Sequence, residues 1–142
     1  MAGFMEVPIK LDVKIKEFIE IAYNSAVDEI GEFEYVYIEN KFDQKLNILS
    51  SEHKAWVKQL FKYYQALNKV KMQWENSKIK ITNLTARAIG AALFYFINPY
   101  DIIPDFTPEI GYADDYYVMI LCLKLISEKD REKIFNRLKK VG

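Results

Sequence analysis

The 142-residue chain predicts an all-α fold, a compact bundle of five or six helices built around a helical hairpin. Three observations carry that prediction. Apolar residues recur every three or four positions through most of the chain. No second clear strand pattern exists for a first to pair with. One Pro/Asp-rich stretch separates two apolar segments, as the tip of a hairpin would. The expected organisation is a single domain over residues 1–142. It divides into a helical N-terminal part (1–84), the hairpin (85–126) and a short C-terminal helix (127–142). The composition, 51% hydrophobic and 28% charged, excludes a disordered chain or a linker protein. A domain of this size buries roughly two-thirds of its unfolded surface, so it needs no disulfide or metal staple. One Cys and one His rule out a zinc cage, a redox CxxC pair and an intrachain disulfide, and no disulfide-linked partner is expected.

The elements follow in order. Ile15, Phe18, Ile19, Ala22, Ala26 and Ile30 form a stripe at helical spacing, so a first helix should run from Leu11 to Ile30 and stop at Gly31. Glu32 to Leu49 fits two patterns. Phe33, Tyr35 and Tyr37 alternate as in an edge strand, whereas Tyr35, Ile38, Phe42, Leu46 and Leu49 share a helix face. Helix is favoured for want of a pairing strand. A third helix should be capped by Ser50 or Ser51, with Glu52 in its first turn. Its stripe is Val57, Leu60, Phe61, Tyr64 and Leu67, and it breaks at Asn76 and Ser77. A fourth helix is apolar on both sides, with Ile81, Leu84, Ala88, Ala91, Ala92 and Tyr95 on one and Ile89, Leu93, Phe96 and Ile97 on the other. Such a helix belongs in the middle of a bundle or against a membrane. Pro99 ends it. A fifth helix, Ala113 to Ile126, leads into a sixth through Ser127 and Asp130, which resemble a capping box.

Net charge is zero but unevenly spread: −5 over 1–49, +6 over 50–87, −5 over 88–123 and +4 over 124–142. Such blocks suggest segments that fold back on one another, or faces that attract a charged partner. The N-terminus has acids at positions 6, 12 and 17 and Ala2 in place of glycine, so neither a targeting leader nor myristoylation is expected. The longest uncharged run, Ala88 to Tyr100, would make a helix of about 20 Å, short of a hydrocarbon core of roughly 30 Å. A cytoplasmic location is expected, with peripheral membrane association as an alternative.

The informative stretch runs from Asn98 to Asp115. Pro99 disfavours helix at Asn98, and Pro104 and Pro108 stiffen the loop. Ile102, Ile103 and Phe106 can pin it to the core. Gly111 permits positive φ where the chain enters the fifth helix. Asp114 and Asp115 fall at that helix's N-terminus, where carboxylates are favoured, and Asp101 and Asp105 suit Asx-type turns. Arg87, the only basic residue between Ile81 and Leu123, could pair with one of these carboxylates. Alternatively, Asp101, Asp105, Asp114 and Asp115 could converge on a divalent cation such as Mg²⁺, Mn²⁺ or Ca²⁺, with metal-dependent hydrolysis a further step. No other cofactor is expected.

With Gly90 to Ile97 before it, this stretch resembles the YkvA-like family, a bacterial and archaeal helical domain of unknown function. The residues that carry the resemblance are Asn98, Pro99, Asp101, Ile103, Pro104, Asp105, Pro108, Gly111, Tyr112, Asp114 and Asp115. It spans about residues 85–126, and Thr107 departs from it where an apolar residue is usual. The resemblance implies a helical hairpin around a rigid loop and brings no activity.

Weaker signals complete the reading. Lys54, Lys58, Lys62, Lys69, Lys71, Lys78 and Lys80, interleaved with Trp56, Tyr63, Tyr64 and Trp74, could bind phosphates and stack bases, or form a solvated face over a core stripe. His53 reads as a surface residue and Cys122 as a buried inert thiol. The function favoured is a non-enzymatic interaction module that docks on a protein or on the cytoplasmic membrane surface. A cation-binding protein and a nucleic-acid binder are the alternatives.

Overall fold

The computed structural model describes residues 11–48, 54–98 and 112–141. These form six helices: α1 (Val13–Glu29), α2 (Glu32–Ile48), α3 (Ala55–Glu75), α4 (Asn83–Ile97), α5 (Ala113–Leu125) and α6 (Glu128–Val141). There is no strand among the described residues. Helix α4 is the centre, packed against α1, α2, α3 and α5, while α6 packs on α3. The stretch that fits both strand and helix patterns is helical over Glu32–Ile48.

Local chemistry sets the helix ends. Asp12 caps α1 by accepting the Lys14 amide hydrogen at 2.7 Å. Gly31 follows α1, and its amide donates to the Glu34 carboxylate one turn into α2 at 2.8 Å, half of a capping box. Helix α3 ends in paired bonds from Ser77 to the Trp74 carbonyl and from Lys78 to the Gln73 carbonyl, with Ser77 at φ 59°. That is a Schellman ending with serine where glycine is usual. Thr82 caps α4 by accepting the Thr85 amide at 3.1 Å. Ser127 accepts the Asp130 amide at 3.2 Å. The Asp130 carboxylate crosses to α4 instead, accepting from the Thr85 hydroxyl at 2.6 Å and the Thr82 amide at 3.2 Å. One buried aspartate thus ties α6 to the start of α4.

Two expectations are corrected. Helix α3 begins at Ala55 after Lys54, which makes no side-chain cap, so Ser50 and Ser51 do not cap it. They, with Glu52 and His53, lie outside the described residues. On α1 the buried residues are Ile19, Tyr23 and Val27, spaced by four. Phe18 is 63% exposed, because it sits about 100° around the helix from Ile19. The core centres on Phe96, stacked on Tyr64 at 4.1 Å and flanked by Phe42 and Phe61 at 6.0 Å.

Helix α4 carries small residues where its neighbours approach most closely. A Cβ on Gly90 would lie 2.6 Å from Ile30 Cδ1 and 2.7 Å from Tyr35 Cε1. The same stretch is held by side chains that reach its carbonyls. Tyr23 donates to the Ala88 carbonyl at 2.8 Å and Tyr35 to that of Ala86 at 3.3 Å.

Candidate functional site

The site begins where α4 gives way to α5. Pro99, Asp101, Ile103, Pro104, Asp105, Pro108 and Gly111 lie outside the described residues, as do Ile102 and Phe106, while Asn98, Tyr112, Asp114 and Asp115 lie within them. Tyr112 stands at the N-cap of α5 with φ 72° and ψ 0°. The left-handed residue described at this turn is therefore a tyrosine, one position after Gly111. A bulky residue there costs energy that packing must offset. The Tyr112 ring is buried, edge-on to Phe61 at 5.5 Å and beneath the Lys45 ammonium at 5.6 Å.

Asp114 and Asp115 follow, both 0% exposed. Their position in the first turn of α5 favours the charge electrostatically. The Asp114 carboxylate accepts the Asp115 amide hydrogen and the Tyr95 hydroxyl, both at 3.0 Å. Tyr64 donates to the Asp115 carbonyl at 2.6 Å. Burial, and then the adjacent carboxylates, push the Tyr64 phenol well above its ordinary range. Its proton therefore stays in place as a permanent donor. The arrangement locks the start of α5 to α3 and α4. Among the described residues, no group of three or more His, Cys, Asp or Glu side chains is placed to hold a metal ion.

Arg87 does not join these carboxylates. Its Nε donates to the Val27 carbonyl at 2.8 Å, and a terminal nitrogen donates to the Asp28 carbonyl. Those carbonyls belong to the last turn of α1 and lack helical partners, so the guanidinium serves as a cap there. Cys122 is fully buried beside the Ala88 carbonyl, and burial pushes its thiol up to about 12. Lys54, just before α3, and Lys58 and Lys62 on it are exposed, whereas Tyr63 and Tyr64 are buried. Trp56 packs edge-on against Tyr116 at 5.6 Å. Tyr63 and Tyr64 of the lysine–aromatic pattern are thus turned inward, while Trp74 is half-buried against the Tyr35 ring.

A groove that the sequence reading did not foresee opens beside this hairpin, with a volume of about 490 Å³. Ala91 and Phe94 of α4 and Asn98 at its C-cap form its floor, Ala22, Ser25 and Ala26 of α1 one wall, and Glu29 and Glu34 lie at its α1–α2 end. Phe18 and Ile21, 63% and 68% exposed, continue the α1 wall at helical spacing. On the other side Phe33 stacks on Tyr37 at 6.5 Å, and Tyr37 meets Phe94 edge-on at 5.7 Å. Phe33 is 73% exposed. A second apolar stripe on α1 (Phe18, Ile21, Ala22), continued by the small Ser25, was the signal that could have revealed this groove.

A protein-family model described as a protein of unknown function, DUF1232, matches residues 86–121. The match covers most of α4, the connection beyond it and the first two turns of α5. It leaves α1, α2 and α3 outside. No curated protein matches the chain significantly, and neither does any solved structure.

Proposed function

We propose that this chain is a non-enzymatic interaction module whose groove over α4 takes the apolar face of a helix from a protein partner. The observation that supports it is the groove itself. Ala91 and Phe94 line its floor, exposed Phe18 continues its α1 wall one turn before Ala22, and exposed Phe33 stacks on the Tyr37 ring that meets Phe94. Clustered apolar exposure of this kind marks interaction surfaces, whereas scattered single residues do not. An amphipathic helix meets such a groove with apolar side chains one turn apart. Glu29 and Glu34 at one end favour a partner with basic residues flanking its apolar face.

The same acids argue against an anionic membrane as the occupant, since like charges repel at the surface. No described helix is long and apolar enough to cross a membrane. The buried Asp114–Tyr95 and Tyr64–Asp115 bonds fit a scaffold that holds the groove floor in place.

A photo-crosslinking amino acid placed at Ser25, in the groove, tests the proposal in cells. The expected product is a discrete protein adduct mapping to an amphipathic helix and lost in Phe18→Asp and Phe33→Asp. Adducts to lipid alone would replace the protein partner with the membrane surface. Absence of any adduct dependent on Phe18 and Phe33 would remove the docking function.

A further inference from the structure

We infer, given the docking function proposed for the groove over α4, that the helix it receives is α1 of a second copy of this chain. Lys14, Phe18, Ile21, Ala22, Ser25 and Glu29 of α1 are all exposed. At helical spacing they fall within about 100° of arc, so they form one row on one face. Three of them, Ala22, Ser25 and Glu29, already line the groove.

The row is graded along the helix. A base stands at its start, two large apolar side chains follow, then two small residues, and an acid closes it. A face graded in this way is complementary to itself read backwards. With a two-fold axis midway between Ile21 and Ala22, two copies of α1 run antiparallel. Ile21 then meets the partner's Ala22, Phe18 meets the partner's Ser25, and Lys14 meets the partner's Glu29. The members of each pair lie equally far on either side of the axis, so every contact is made twice, as an isologous interface requires. Large side chains opposite small ones let the two helices interdigitate.

Charge selects the same arrangement. Among the described residues, neither Lys14 nor Glu29 takes part in an ion pair within the chain. Antiparallel pairing sets each against its opposite across the interface, whereas parallel pairing would set Lys14 against lysine, Glu29 against glutamate and Phe18 against phenylalanine. The second copy also supplies what the groove asks of a partner: two large apolar residues about one turn apart, with a base one turn before them. One helix from each copy is a small interface, in the size class of weak and transient complexes. The dimer is therefore expected at about 100 μM chain and the monomer at about 1 μM.

Sedimentation equilibrium on the full chain tests this, with the mass expected to rise from one chain to two across that range. Lys14→Glu and Glu29→Lys, both at exposed positions, should each weaken association about fivefold, because each creates two like-charge contacts. The double variant Lys14→Glu/Glu29→Lys remakes both pairs with the signs exchanged and should recover the parent's dissociation constant. Phe18→Asp should remain a single chain at every concentration. A parent that stays monomeric at about 100 μM would overturn the inference. So would a dimer that the single variants leave intact or that the double variant fails to restore. In any of these cases the docking function itself would stand if the Ser25 crosslink captured a different protein in cells, and would fall if no adduct formed.

Discussion

Helices α2 and α4 are similar in length and behave oppositely. Helix α4 spans Asn83–Ile97 and buries eleven residues, including a run of glycine and alanine that lets α1 and α2 approach. Helix α2 spans Glu32–Ile48, and among its described side chains Ile38 and Phe42 are buried. The family match falls on α4 and α5 and not on α2. The described part of the matched segment is therefore mostly interior, while the groove over α4 is walled by α1 and α2, outside the match. A stable interior can be kept while the surfaces around it diverge, because packing constrains only what it touches.

The largest effect should come from the hairpin. Asp114→Ala removes a fully buried carboxylate that accepts from the Tyr95 hydroxyl and the Asp115 amide, at a cost of about 3 kcal/mol. The melting temperature should fall by about 10 °C; a shift under about 2 °C would break the contrast between interior and surface. Millimolar Mg²⁺, Mn²⁺ or Ca²⁺ should leave the parent's melting temperature in place. A large rise that Asp114→Ala abolishes would favour the cation site instead.

Gly90→Val comes next. Its side chain must displace Ile30 and the Tyr35 ring, and overpacking of this kind costs about 2 kcal/mol. Urea midpoints report it, and an unchanged midpoint would show that α1 and α2 can retreat from α4 freely.

Asp130 gives a pH signature of about 1 kcal/mol, typical of a hydrogen-bonded carboxylate. Burial pushes its carboxyl up, but the Thr85 hydroxyl, the Thr82 amide and Lys133 outweigh that and hold it below the usual range. A carboxyl lowered in the folded state contributes stability above its unfolded value of about 4, and that contribution is lost as pH falls through the folded value. Between roughly pH 5 and pH 3 the parent should therefore lose more stability than Asp130→Asn. Parallel curves would show that this tie contributes nothing.

Ser77→Gly should stabilise by about 0.5 kcal/mol, since glycine relieves the left-handed strain at φ 59° while losing more entropy on folding. Destabilisation would mean that the serine side chain matters. The smallest effect is expected at Phe18→Ser, within about 0.5 kcal/mol in thermal melts. A loss near that of Gly90→Val would show that the α1 wall is part of the core.

Periodicity made the six helices legible, because α4, α5 and the stripe of α3 are so apolar that few alternatives would bury them. The ends were legible where local residues decide them, as at Gly31, Asn76 and Ser127. Long-range partners were not. Arg87 is the lone base in an acidic stretch, yet its choice of the Val27 and Asp28 carbonyls depends on where α1 happens to end in space. The Ser127–Asp130 box was half readable, since only folding brings the Asp130 carboxylate to Thr85. Of the candidate site, Asp114 and Asp115 at the start of α5 were readable from their place after the loop. The groove beside them was not, because Phe18 fits the apolar count of α1 equally well inside or out.

The lone thiol has a consequence for kinetics. Cys122 faces α4 from inside α5, closed to solvent and held as the unreactive thiol. A thiol reagent can meet it only after α4 and α5 separate. At high reagent concentration, the modification rate equals the rate at which the hairpin opens. With no second cysteine in the sequence, that rate is a direct record of how long the interior stays shut, whatever is bound outside.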